Sequence, residues 1–258
     1  MPFYTNVDGQ RIFYEDHGVG NVILFIHPPG MGRKVFEQQQ ELAEHYRIIL
    51  PDLSGHGDSD TVKLSPEISD YTLEILSLID HLQLDQIILF GYSAGGAVAQ
   101  DFTLSNPNRV KGLILSGAFP KVDTKILAFQ FEIGMQWVRE NPDSLAQVLS
   151  QTHFQDTVTR EEQRHHMLKS DPIVWYEFYK HSSQYDCSKQ LEKIQVPILL
   201  LYGKRSFWVY HHARFYRRCS KASLTVVDNA FHQLPATQGP TVNLAVRDFF
   251  SRTFVKRK

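Results

Sequence analysis

The run Val22 to Ile26 is unbroken apolar sequence of strand length, lacking the alternation of a strand with one face in water. Strands buried on both faces belong to parallel sheets covered by helices. The same rhythm continues along the chain. A polar helix around Val35 to His45 precedes a strand at Tyr46 to Leu50, and a helix around Asp70 to Leu82 precedes a strand at Gln86 to Phe90. A helix from Ala94 to about Ser105 then leads to a strand at Val110 to Leu115. Strands separated by helix-length segments imply right-handed βαβ units, and so an α/β fold with a doubly wound, mostly parallel sheet. Phe3 to Thr5 and Arg11 to His17 flank Asp8-Gly9, which reads as a hairpin turn at the start of that sheet.

The rhythm stops between Ala118 and about Lys189. No strand-like run occurs there, and Phe129, Phe131, Trp137, Phe154, Trp175, Tyr176, Phe178 and Tyr179 crowd helical patterns. Most of these aromatics are accounted for by a helical layer packing its own core. The connection is far longer than the usual few residues, which marks residues 118–189 as an inserted helical cap or lid. Residues 1–117 and 190–258 then form the core. The sheet resumes at Val196 to Tyr202 and Ser223 to Val227, and an amphipathic helix from about Thr241 to Phe254 closes it.

Composition removes several classes of function. With 27 Lys+Arg against 28 Asp+Glu the formal charge is -1, and the only basic run is the short Lys256-Arg257-Lys258 tail, so nucleic acid is not an expected partner. No apolar run approaches the roughly 20 residues of a membrane span, so no membrane partner is expected. The first nine residues carry neither a basic nor an apolar signal region, and a cytoplasmic location is the default expectation. Cys187 and Cys219 are expected as buried free thiols, and neither has the spacing of a zinc ligand. The adjacent pairs His165-His166 and His211-His212 point about 100° apart on a helix and cannot clamp one metal ion. No motif implies a metal or cofactor.

Chemistry enters at Gly91-Tyr92-Ser93-Ala94-Gly95-Gly96, a G-x-S-x-G pattern between a strand and a helix. A turn this tight holds Ser93 in a strained backbone and projects its hydroxyl above the carboxyl edge of the sheet. The N–H of Ala94, at the start of the helix, points at any oxyanion formed there. A nucleophilic serine needs a base, and His232 lies in the loop after the last strand, at the same sheet edge.

With these residues in place the chain resembles the α/β-hydrolase fold superfamily over essentially its whole length. Four blocks carry the resemblance: Phe25-Ile26-His27-Pro28-Pro29-Gly30, Pro51-Asp52-Leu53-Ser54-Gly55-His56-Gly57-Asp58-Ser59, the turn at Ser93, and the loop bearing His232. The resemblance implies a Ser nucleophile, a His base, an acid that orients the His, and a lid over the site. It also implies an esterase-like serine hydrolase acting on a small-molecule substrate.

Two departures stand out. The position where relatives usually carry the acid is Ser206, whose hydroxyl can accept a hydrogen bond from an imidazole but brings no negative charge. The end of the sixth strand, the other place used by relatives, reads Ser116-Gly117-Ala118 and holds no carboxylate; Asp123, further on, is the candidate acid if the lid starts with a turn that lets it reach back, and Asp228, near His232 in sequence, is a weaker candidate. The second oxyanion donor of the family falls on Pro29, which has no N–H, leaving Gly30 or Met31 as the candidate beside Ala94. The leading expectation is therefore a carboxylesterase-like enzyme using Ser93 and His232. The alternatives are carbon-carbon bond hydrolysis or a lyase reaction on the same residues, or a non-catalytic ligand-binding and signalling module with a degenerate triad, the one reading that calls for a partner protein.

Overall fold

The computed structural model describes residues 3–6 and 9–254. Among these residues eight strands form one sheet: β1 (Phe3–Thr5), β2 (Arg11–His17), β3 (Val22–Ile26), β4 (Arg47–Pro51), β5 (Ile87–Tyr92), β6 (Val110–Ser116), β7 (Ile198–Gly203) and β8 (Ala222–Val227). Their spatial order is β1-β2-β4-β3-β5-β6-β7-β8. The β1–β2 and β2–β4 pairs are antiparallel, and every pair from β4 to β8 is parallel. Every residue of β5 and β7 is buried, as their continuous apolar sequences require. Asp8, half of the expected hairpin turn, lies outside the described residues.

Helices α1 (Ile68–His81) and α2 (Gly95–Ser105) pack on one face of the sheet, where Tyr71, Ile75, Val98 and Phe102 meet Leu24, Leu89 and Leu113. The other face, with Phe25, Phe90 and Leu199, is covered by Val35, Phe36 and Leu42 and by Val246 and Phe250 of the final helix. Burial of these side chains is the main favourable contribution to the fold, about 25 cal/mol for each Å² removed from water.

The segment expected as an α-helix around Val35 to His45 is instead a 3-10 helix over Arg33–Glu44, with a kink at Phe36. Its pattern explains the difference. Arg33, Phe36, Gln39 and Leu42 are buried at intervals of three, the repeat of a 3-10 turn.

Between β6 and β7 the chain forms four α-helices: α3 (Lys125–Glu140), α4 (Pro142–His153), α5 (Thr157–Met167) and α6 (Pro172–Gln184). Each starts at a residue whose side chain accepts a backbone N–H: Thr124 from Leu127, Asn141 from Ser144, Asp156 from Thr159 and Asp171 from Ile173. Pro142 and Pro172 occupy the first helical position, where a missing N–H costs nothing. Phe131, Phe154, Trp175 and Phe178 are buried, whereas Phe129 lies 59% exposed on the outer side of α3. After β7 come α7 (Phe207–Tyr210), and after β8 come α8 (Leu234–Thr237) and α9 (Gly239–Thr253). No helix among the described residues is long and apolar enough to cross a membrane. Cys187 and Cys219 are buried free thiols.

Candidate active site

Ser93 follows the last residue of β5 with φ 52°, the left-handed region that non-glycine residues seldom occupy. Its N–H donates to Ser116 O at 2.8 Å, which fixes the turn to the end of β6. Helix α2 begins so close to the neighbouring strand end that a Cβ at Gly95 would lie 2.4 Å from Ile26 O. Only glycine fits there. The result is a serine held out from the carboxyl edge of the sheet, at the mouth of a helix whose first amides face it.

His232 Nε2 lies 2.8 Å from Ser93 Oγ. The loop that brings it there is tied to the end of β7, since Arg205 N–H donates to Ala230 O at 2.9 Å. Burial first, and the nearby His153 second, push the His232 imidazole down to a pKa of about 4. At neutral pH it is uncharged, and a neutral imidazole can accept the Ser93 proton at Nε2 only if Nδ1 carries the ring hydrogen. Nδ1 is buried and has no hydrogen-bond partner among the described residues.

None of the carboxylates expected to fill that place does so. Asp123 is ion-paired with Lys121 at 3.1 Å and with Arg214, while its backbone N–H faces His212 Nε2 at 3.3 Å. Two cations outside the site therefore hold the side chain, which corrects its expected role as the acid. Asp228 is exposed and paired with Lys204 at 2.7 Å. Ser206 is 2% exposed, and its Oγ has no partner. Its carbonyl accepts from Val209 and Tyr210 at the start of α7. At the end of β6, Gly117 has φ 58° and lies against the His232 ring.

Of the oxyanion candidates, Ala94 lines the cavity above Ser93, and its N–H has no acceptor among the described residues. Met31 also lines the cavity, but its N–H closes a turn to Pro28 O at 3.3 Å. Gly30 has φ 78° and sits under Trp175 of α6, away from the cavity wall. Pro29 forms part of the wall and offers no N–H. Ala94 is thus the donor that the wall presents.

The cavity has a volume of about 300 Å³ and is enclosed largely by α3 and α4. Leu127, Phe131, Leu145 and Leu149 make it apolar; Gln130, Thr152 and Gln233 add polar points. Tyr92 and His153 also line it, and sequence reasoning missed both. Tyr92 stood in view as the second residue of the serine turn, but nothing in the sequence of α4 marks His153 as a neighbour.

The Asp52 block performs a different task. Asp52 is fully buried and accepts from the N–H groups of Arg33 at 2.7 Å and Asp58 at 2.9 Å, from the Arg33 guanidinium, and from His166 Nε2 of α5 at 3.0 Å. His27 accepts from Leu53 N–H at 3.0 Å while its Nδ1–H donates to Pro28 O at 2.9 Å. These bonds lock the loop after β3, the loop after β4 and helix α5 together. Asp52, Asp58 and His166 are close enough to one another to hold a cation, but the Arg33 guanidinium already bonds both carboxylates and supplies the positive charge.

A family model described as serine aminopeptidase, S33, matches residues 34–237. The chain belongs to this family of α/β hydrolases. A non-heme haloperoxidase from Rhodococcus erythropolis is 27% identical over 234 residues, covering 79% of this chain and 81% of the relative. The fold matches that of an esterase from Exiguobacterium antarcticum with TM-score 0.86 at 21% identity, over 96% of this chain and 98% of the other. It matches a bromoperoxidase from Bacillus anthracis with TM-score 0.86 at 22% identity, over 94% and 96% of the two chains.

Proposed function

We propose that this α/β hydrolase is an esterase-like serine hydrolase that carries the acyl group of a small, largely apolar ester on Ser93. The observation that carries the reading is the 2.8 Å contact between Ser93 Oγ and His232 Nε2 at the floor of an apolar cavity. In this reading Ser93 Oγ attacks the ester carbonyl as His232 Nε2 takes the hydroxyl proton, and the Ala94 N–H stabilises the oxyanion. The proton passes to the leaving alcohol as the carbon–oxygen bond breaks, and water, deprotonated by the same imidazole, frees the acid. The 118–189 segment acts as the cap that shapes the acyl site. The lining favours apolar acyl groups, because burying an unpaired charge costs several kcal/mol. A small-molecule substrate and a cytoplasmic location complete the proposal.

The test is labelling by a fluorophosphonate. A single label is expected in the native chain, absent in Ser93→Ala and strongly reduced in His232→Ala. Labelling that persists in Ser93→Ala would overturn the assignment.

A second reading, a ligand-binding module, is favoured by the orphaned Nδ1 of His232 and by Pro29. Turnover of short p-nitrophenyl esters separates the two. Native protein no faster than Ser93→Ala would favour binding alone.

A further inference from the structure

The unpartnered Nδ1 poses a physical problem. An imidazole with no hydrogen bond at that atom can flip about its Cβ–Cγ bond or exchange tautomers at little electrostatic cost, and either change removes the acceptor from Ser93. Something else must hold the ring. Gly117 lies against its Nδ1–Cε1 edge, and the centroid of the Tyr92 ring is 5.5 Å away with 34° between the planes.

Tyr92 is itself held from the cap. Its hydroxyl lies 3.0 Å from Nε2 of His153, the last residue of α4. His153 Nδ1 is 2.8 Å from Leu149 O, and a carbonyl only accepts, so Nδ1 carries the ring hydrogen. Burial pushes His153 down to a pKa of about 4 and keeps it neutral. Nε2 is then a lone-pair acceptor, and the Tyr92 hydroxyl donates to it. Both side chains are buried, with Tyr92 at 1% and His153 at 5% exposure, so breaking this bond leaves an unsatisfied polar group out of water.

We propose that His153 and Tyr92 are positioning residues for His232, fixing by packing and one cap-to-core hydrogen bond the imidazole that no carboxylate orients. The proposal rests on the reading of His232 as the base of Ser93. It makes the cap part of the catalytic geometry: the base is aligned only while α4 is seated on the serine turn. Because Tyr92 directly precedes Ser93 in the chain, one hydrogen bond steadies the turn and the base together.

The experiment compares Tyr92→Phe, which keeps the ring but loses the donor, with His153→Leu, which loses the acceptor, and His153→Gln, which restores one. The readouts are the rate of fluorophosphonate labelling of Ser93, the kcat and KM for a p-nitrophenyl ester, and the ¹⁵N signals of the His232 ring. Tyr92→Phe and His153→Leu should each slow labelling about tenfold and lower kcat with KM nearly unchanged. Their combination should be no worse than either alone, His153→Gln should recover most of the loss, and the ¹⁵N signals should move from a single Nδ1–H tautomer to a mixture.

Rates within twofold of native with one tautomer retained, or additive losses confined to KM, would reduce the pair to pocket wall. If native protein is not labelled at all, the ¹⁵N spectra still decide. A tautomer shift in Tyr92→Phe upholds the positioning role while the hydrolase reading falls, and an unchanged spectrum sinks both.

Discussion

Gly117 and the imidazole of His232 are in direct contact, so that a Cβ at residue 117 would lie 2.6 Å from Nδ1 and from Cε1. The backbone there has φ 58°, which disfavours any L side chain even before the overlap is counted. Gly117→Ala must therefore move the ring, the strand end, or both. A displacement of about 1 Å can cost about 10²-fold in rate. Loss of roughly that size in kcat/KM is expected from a variant that still folds by circular dichroism. Activity within a factor of about three of native would show that the ring position does not matter to turnover.

Asp123→Asn should leave activity nearly unchanged. The carboxylate pairs with Lys121 and Arg214 rather than with His232, and partly exposed ion pairs of this kind are worth about 0–1 kcal/mol. Steady-state kinetics should place kcat within a factor of about three of native. In a serine protease the loss of the triad carboxylate costs about 10⁴ in kcat, so a fall of that order would put Asp123 back in the site.

Five buried histidines weigh on stability between pH 7 and pH 4.5. Burial lowers His27, His153 and His232 each to a pKa of about 4 and His56 to about 3, and it lowers His212 as well. Unfolded, each titrates near 6.5, so the unfolded chain binds more protons between that value and the folded pKa, and stability falls as pH is lowered through the window. Glu74 acts in the opposite sense. Burial raises it to about 7, so it binds a proton in the folded chain first and favours folding as pH falls below 7. Five groups outweigh one, and the melting temperature should drop by roughly 10 °C between pH 7 and pH 4.5. The acid limb of kcat/KM should follow His232, near pH 4 instead of 6.5. A limb at 6.5 would mean that water or a charge reaches the imidazole.

Much of the fold was legible because parallel strands buried on both faces have little choice of sequence: Val22 to Ile26 and the run around Ile198 to Tyr202 can be little else. The serine turn was legible for the same reason, since Gly95 leaves no room for a Cβ. The 3-10 stretch was not, because residues spaced at three and at three-and-four overlap over Arg33–Glu44 and the choice is made by what the segment packs on. Nor could the Tyr92–His153 bond be read, because it joins residues 61 apart through the seating of one helix on another element. The fate of Asp123 was decided by Arg214, a residue 91 positions away.

Ser206 Oγ is buried without a partner, as is Nδ1 of His232, and the two loops are joined by the Arg205–Ala230 bond and by the close approach of Gly203 to Phe231 O. An aspartate at this position, on a loop tied to the one that bears His232, would supply a charge that the site lacks, and a carboxylate that reaches the imidazole favours its protonated form. Desolvation of the new carboxylate subtracts from the gain, as does any strain in a loop fitted to a smaller side chain. Ser206→Asp is therefore expected to raise kcat/KM about ten- to a hundredfold, or about 1.4 to 2.7 kcal/mol of barrier, less than the full penalty of losing a triad acid. It should also lift the acid limb of the pH profile, because a neighbouring anion raises the pKa of His232. The measurement is kcat/KM against pH for both proteins, with folding checked by thermal melt. If the variant folds and the limb rises without a gain in rate, the charge has reached the imidazole but proton transfer is not what limits the reaction. If neither moves, the Ser206 position does not address His232, and the ring is held by the packing of Tyr92 and Gly117 and by its contact with Ser93.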